Sequence, residues 1–222
     1  MLSNLQLTIP ENIFIKDPQS TKLGRRILNY AIKLIHDHGL EWFTFKKLAI
    51  NIQSNESSIY RYFENKHKLL LYLISWYWGW LEYKLVFRTQ NVKEKKELLR
   101  QAIIAITEPP RKDETFGFIN EEELHYIIVQ EYSKAFYTPL VDQENKSGDF
   151  LIYKRLNERL STIILEVNEV YHFPKTMASM ILQGALTQNY FHDHFPQLLD
   201  SNKNNHTSSF FLDVIFKSLI NG

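Results

Sequence analysis

Few side chains in this sequence have types and spacings that could do chemistry, and most of those fail on geometry. His192, Asp193 and His194 have the composition of a metal site. On a helix, however, residues two apart point roughly 200° away from each other, so one face cannot present both imidazoles. His36 and His38 fail in the same way. The absence of Cys excludes thiolate ligands, disulfides and thiol nucleophiles together. There is no glycine-rich phosphate loop, H-E-x-x-H motif or nucleophile elbow, so no catalytic group, metal or cofactor is expected. What remains is recognition chemistry. Between Ser20 and Leu70 nine Lys and Arg stand against four Asp and Glu, whereas the rest of the chain has 17 basic and 21 acidic residues. The net charge of +1 conceals this asymmetry. A basic N-terminal quarter on a mildly acidic body suits a protein that touches a polyanion with one end.

The elements that must position these residues are helical. Only 7 Gly and 7 Pro occur in 222 residues, mostly at apparent segment ends, too few turns for a sandwich or barrel. Residues 1–19 lack periodicity and read as an irregular arm. From Thr21, Leu23, Ile27, Tyr30/Ala31 and Leu34/Ile35 form the stripe of an amphipathic helix that Gly39 closes. Thr44 is a suitable N-cap for a short helix to about Asn51, Ser54 or Asn55 for a second from Glu56 to Phe63, and Asn65 for a long one from Lys66 to about Arg88. Further helices are expected over Val92–Ile106, from Asn120, over Phe150–Tyr171, from Pro174 to His194, and over Ser208–Ile220. Asp142–Gly148 reads as a loop. The fold class is all-α, with about nine helices. The apolar run Leu69–Leu81 has 13 residues where a membrane span needs roughly 20, so it reads as a buried core helix. The N-terminus has no basic segment before an apolar core, so a cytoplasmic protein is expected.

Two short helices joined by about four residues, after a longer one, are the parts of a helix-turn-helix. Ala49 supplies the small residue that close crossing needs, and Ile59 the branched residue that locks the second helix. Leu48, Ile52 and Phe63 complete a small core with Leu23, Ile27 and Leu34. Glu56, Ser57, Tyr60 and Arg61 then face outward.

The string Ser58-Ile59-Tyr60-Arg61-Tyr62-Phe63, followed by Lys66 and Leu69-Leu70, resembles the TetR-family signature at the end of the recognition helix. Upstream, Gly39-Leu40 and Thr44-Phe45-Lys46-Lys47-Leu48-Ala49 are similar to the family's G-…-T-x-x-x-I-A run. The matched segment covers about 50 of 222 residues. The resemblance implies a DNA-binding domain at 20–66 and a ligand-binding and dimerisation domain at 67–222. It assigns phosphate contacts to Thr44, Lys46, Ser58, Tyr60 and Lys66, and base reading to Glu56, Ser57 and Arg61. Arg61 suits a guanine gripped bidentately and Glu56 a cytosine amine. One departure stands out: the family usually has Gly-Val in the turn, where this chain has Gln53-Ser54. A left-handed Gln53 would cost roughly 1 kcal/mol relative to Gly.

The same resemblance implies a ligand-responsive regulator, a homodimer on a palindromic operator in double-stranded DNA, released by a small, largely apolar effector and with no membrane partner. Trp76, Trp80, Tyr83, Phe87 and Tyr126 are candidates for the effector pocket. Met177, Ile181, Gly184, Ala185, Gln188, Phe211 and Ile215 are candidates for the dimer face. A helical small-molecule or lipid carrier with a vestigial helix-turn-helix stays open as the alternative.

Overall fold

The computed structural model describes residues 6–110, 116–200 and 206–220. Among them are eleven α-helices and no strand. They are α1 (Lys22–His38), α2 (Phe45–Asn51), α3 (Glu56–Tyr60), α4 (Lys66–Thr89), α5 (Lys95–Thr107), α6 (Glu121–Glu131), α7 (Ser133–Phe136), α8 (Val141–Ser147), α9 (Leu151–Val167), α10 (Pro174–His194) and α11 (His206–Ile220). Two compact units share them. One comprises the chain up to Gly79 together with Pro110–Ile152, the other Trp80–Pro109 together with Tyr153–Gly222. The division runs within α4 and α9, because the segment holding α6 to α8 packs with the N-terminal helices.

In the first unit, Thr21 caps α1 by accepting a hydrogen bond from the Gly24 amide at 2.9 Å, and its hydroxyl lies 2.7 Å from that of Tyr62. The stripe Ile27, Leu28, Ala31, Leu34 and Ile35 is buried, and α1 packs on α2 and α6. The N-terminal arm is ordered over its described part. Ile9 and Ile13 are buried, and buried Gln19 exchanges hydrogen bonds with the Leu7 backbone at 2.7 and 3.3 Å. Gly24 permits this packing, since a Cβ there would stand 2.3 Å from the Pro18 carbonyl oxygen.

The expected loop at Asp142–Gly148 is instead α8, and α8 with the short α7 accounts for the helices beyond the expected nine. Gly148 closes α8 in the left-handed region at φ 92°. Tertiary anchors explain why so polar a stretch is ordered. The Glu144 carboxylate is buried and lies 2.6 Å from His67 Nε2. Just beyond Gly148, buried Asp149 takes the Lys68 ammonium at 2.7 Å and a hydrogen bond from the Asn12 amide. Nearby, Lys134 lies 2.8 Å from both Glu131 and Glu41. Its hydrogen bonds to those two carboxylates hold the ammonium protonated above the usual lysine range.

In the second unit α5 packs against α10 and α11, which also pack on each other. Glu94 caps α5 through the amides of Lys96 and Glu97, and Pro174 occupies the first position of α10. The buried carboxylate of Glu82 is taken up by Arg155 at 2.5–3.0 Å and by Arg159 at 3.3 Å. Among the described residues no helix is long and apolar enough to cross a membrane.

Candidate nucleic-acid interface

The helix pair α2–α3 is built from the inside out. Leu48, Ile52, Ile59 and Phe63 are fully buried and Ala49 is 4% exposed, so the small core expected from their spacing is present. The Arg26 guanidinium reaches from α1 to the carbonyl of Ile52 at 2.5 Å and fixes the end of α2. The turn itself takes an unusual form. Gln53 is the one non-glycine residue with positive φ among the described residues, at 48°. Its amide bonds to the Ile50 carbonyl at 3.1 Å, and the Ser54 amide bonds to that of Ala49 at 2.9 Å. Those two bonds make a Schellman cap with glutamine where glycine is the usual occupant.

Around this core lie the residues expected to meet DNA. Thr44 is exposed at the N-terminus of α2, where its hydroxyl oxygen accepts from the Lys47 amide at 3.2 Å. Exposed Lys46 and Arg61 have no ion-pair partner among the described residues. The hydroxyls of Ser57 and Ser58 donate to Asn55 Oδ1 at 2.8 and 2.6 Å, and that same oxygen caps α3 through the Ser58 amide. Asn55 is thus the cap between the two alternatives, and it orients both serines. Tyr60 is 47% exposed, sets its ring edge-on to Phe45 at 5.1 Å and donates to Glu56 at 3.4 Å. Lys66 is exposed, but its ammonium donates to the Leu40 carbonyl at 3.3 Å. All eight residues sit on α2, α3, their caps or the first residue of α4, with polar groups at or near the surface.

Sequence reasoning missed one neighbour of this face. Lys47 holds its ammonium 3.6 Å from the centroid of the Trp42 ring and 2.8 Å from the Trp42 carbonyl. His38 stacks on the same ring at 4.1 Å. Trp42 is 40% exposed, and a tryptophan in the short connector just before Thr44 was the available signal.

The aromatic residues expected to line an effector pocket divide between the units. In the first, Trp76 is fully buried, edge-on to Phe116 at 5.1 Å. Tyr126 lies at the surface against His36 at 4.9 Å, part of the seam between α1 and α6. In the second, Trp80 is buried, and Tyr83 stacks on an exposed Phe87 with centroids 6.2 Å apart. Of the residues expected at the dimer face, Met177, Ile181, Ala185, Phe211 and Ile215 are all at most 5% exposed in the single chain and pack inside the second unit. Gly184 brings α10 close to α11 of the same chain, since a Cβ there would stand 2.7 Å from the Phe211 ring. Gln188 is half-buried. Apolar surface on these helices belongs instead to Phe210 and Met180, 45% and 46% exposed. His192 pairs with Asp193 at 3.1 Å and His194 stacks on Tyr190. Among the described residues no group of three or more His, Cys, Asp or Glu could hold a metal ion.

Residues 27–73, which span α1 to the first third of α4, match the family described as bacterial regulatory proteins, tetR family. No curated protein matches the chain. Among solved structures, AibR in complex with isovaleryl coenzyme A and operator DNA is 19% identical, with a TM-score of 0.53 over 88% of this chain and 97% of that one. The fatty acid degradation regulator FadR from Bacillus halodurans is 14% identical, with a TM-score of 0.59 over 88% and 93%. A bacterial regulatory protein in the tetR family from Rhodococcus RHA1 is 11% identical, with a TM-score of 0.63 over 90% and 97%. At these identities the likeness concerns the fold, and it extends well past the matched segment. Residues 27–73 thus match the tetR family of bacterial regulatory proteins, and most of the chain shares the fold of solved proteins that carry the same family's name.

Proposed function

We propose that the protein is a ligand-responsive DNA-binding transcriptional regulator, a cytoplasmic homodimer that represses from a palindromic operator and is released by a small effector. The observation that carries this reading is the outer surface of α2–α3. On a well-packed two-helix core it offers two cations in no ion pair among the described residues, Lys46 and Arg61, together with the hydroxyl-bearing Thr44, Ser57, Ser58 and Tyr60. Cations and hydroxyls suit phosphate oxygens, which position a protein on the duplex, while Arg61, Glu56 and Ser57 are the side chains that carry sequence preference. That AibR was solved with operator DNA and an acyl coenzyme A supports a regulator answering to a small molecule. No residue is assigned a catalytic role. The dimer places its two recognition helices about one helical turn of DNA apart, roughly 34–36 Å.

The test is selection of bound fragments from sheared genomic DNA, followed by retardation of the selected sequence across a salt series. Binding is expected to weaken steeply with salt. Lys66→Ala should lower the slope by about one unit without changing the preferred sequence. Failure to retard any genomic fragment would sink the reading and favour a helical carrier. An unaltered slope would remove Lys66 alone, and its bond to the Leu40 carbonyl would then be its whole role.

A further inference from the structure

Among the described residues, Lys84 is a cation in no ion pair. It sits half-buried on α4, one turn after Trp80 and one turn before Arg88, so the three share a stripe of the helix surface. Its ammonium lies 4.6 Å from the centroid of the Trp80 ring, and no carboxylate among the described residues comes within ion-pair distance of it. Four acids of this unit are engaged with other cations. Glu82 is taken by Arg155 and Arg159, Glu97 by Arg100, Glu169 by Lys95, and Glu108 by Arg88 at 2.7 Å.

A lysine on a helix ordinarily lays its stem on apolar neighbours and lifts its charge into water or onto an acid. Here the charge is drawn down over an aromatic face, beside a second cation. Burial, with the charge of Arg88 added, pushes the ammonium down to about 8, and Glu108 pulls weakly the other way. The site is thus short of one negative charge. Apolar surface adjoins it, since Phe87, 63% exposed and stacked on Tyr83, and Val86, 37% exposed, follow Lys84 within one turn.

We propose that the Trp80–Lys84–Arg88 stripe binds the anionic head, a carboxylate or a phosphate monoester, of a small molecule whose apolar body lies along Phe87. The cations supply the attraction, and the aromatic floor keeps water from screening it. Arg88 can exchange its exposed partner Glu108 for the ligand, because an ion pair this open to solvent is worth little. The proposal deepens the regulator reading by giving the effector a charged head where the sequence had suggested a largely apolar molecule.

The experiment uses the purified full-length protein without DNA and three probes of equal chain length: sodium octanoate, octyl phosphate and uncharged octan-1-ol. Binding is followed by calorimetry and by tryptophan fluorescence. At least one anion is expected to bind ten-fold or more tightly than octanol. Octanoate alone would identify a carboxylate head and octyl phosphate alone a phosphate head; binding of both would leave the shared charge as the determinant. The advantage should vanish in Lys84→Met, which keeps the apolar stem. In the wild type it should shrink as pH rises from 7 to 9.5, because the ammonium loses its proton while octanoate keeps its charge. The wild-type pH series needs no variant and stands even if Lys84→Met folds poorly. Anions that bind no tighter than octanol, or an advantage that survives both Lys84→Met and pH 9.5, would overturn the proposal. Such a result would leave the DNA-binding reading intact. Conversely, failure to retard DNA would remove the regulator and leave this site standing.

Discussion

Gln53 is the residue on which local strain and recognition geometry meet. Its φ of 48° places a side chain where glycine is at ease, at a cost of roughly 1 kcal/mol for an L-residue. Glycine would relieve that cost and return part of it as extra freedom in the unfolded chain. Gln53→Gly is therefore expected to stabilise the protein by ~0.5–1 kcal/mol, a rise of a few degrees in a thermal melt at most. A lower melting temperature would mean that the glutamine side chain makes a compensating contact. Lys84 gives a second prediction at this scale, with an explicit sign. Its folded pKa lies near 8, below the ordinary lysine value of 10.5, so the unfolded chain binds the extra proton between those limits. The charge thus opposes folding fully below about pH 8, and the penalty fades as pH rises towards 10.5. Lys84→Met should stabilise the protein at pH 7 by on the order of 2 kcal/mol, and the difference from wild type should narrow by pH 10 in denaturant titrations. A constant difference across that range would mean that the gain comes from packing rather than charge. The contrast between the two residues shows what a sequence can disclose. The left-handed strain at Gln53 was legible because the family resemblance puts a glycine at that position of the turn. Lys84 was only half legible: Trp80 stands one turn before it, but Glu82, two residues away, is taken up by Arg155 and Arg159, 73 and 77 positions along the chain.

At the level of elements, helices with local signals were legible to within a few residues, and those held by distant partners were not. Thr21, Thr44, Asn55, Asn65 and Asn120 each accept the backbone amides that a cap should. α8 lacks such a cap and an apolar stripe, so it reads as a loop. It is ordered by Glu144 meeting His67, 77 positions away in sequence, and by Asp149, just beyond its end, meeting Lys68. The N-terminal arm shows the same limitation, since its packing depends on Gly24 in the first turn of α1. Alanine there would gain up to ~1 kcal/mol in helix propensity. Its Cβ, however, would meet Pro18 backbone atoms at 2.3–2.8 Å, contacts that backbone cannot yield by turning a rotamer. Overpacking of this kind costs ~1–3 kcal/mol or more, so the clash outweighs the propensity. Gly24→Ala is expected to destabilise the protein and to speed amide exchange in residues 6–20. Unchanged exchange in the arm would show that it packs independently of α1.

The proposed function asks the whole molecule to join two tasks, and assembly is the first condition. Because Gly184 packs against Phe211 of the same chain, Gly184→Arg should unfold the second unit rather than split a dimer. Met180→Asp and Phe210→Asp, at exposed positions, should raise the dissociation constant and leave helicity unchanged. Sedimentation of the wild type as a monomer at micromolar concentration would argue against a homodimer altogether. The second condition is coupling, and α4 is the element proposed to carry it. This one uninterrupted helix begins at Lys66, proposed for the DNA face, and continues through Trp80, Lys84 and Arg88, proposed for the effector. Continuity alone transmits nothing; a ligand shifts an equilibrium only by its difference in affinity for two states. Linkage then makes the effect reciprocal, so whatever factor an anion removes from operator affinity, the operator must remove from anion affinity. A coupling of ~1–3 kcal/mol would appear as a 5–150-fold weakening in each direction. The measurement is a titration of whichever alkyl anion binds the free protein, repeated at saturating selected operator, together with operator retardation at saturating anion. Lys84→Met should abolish the first effect and leave operator affinity in the absence of anion at its wild-type value. Equal anion affinities with and without operator would mean that α4 serves two sites that never communicate.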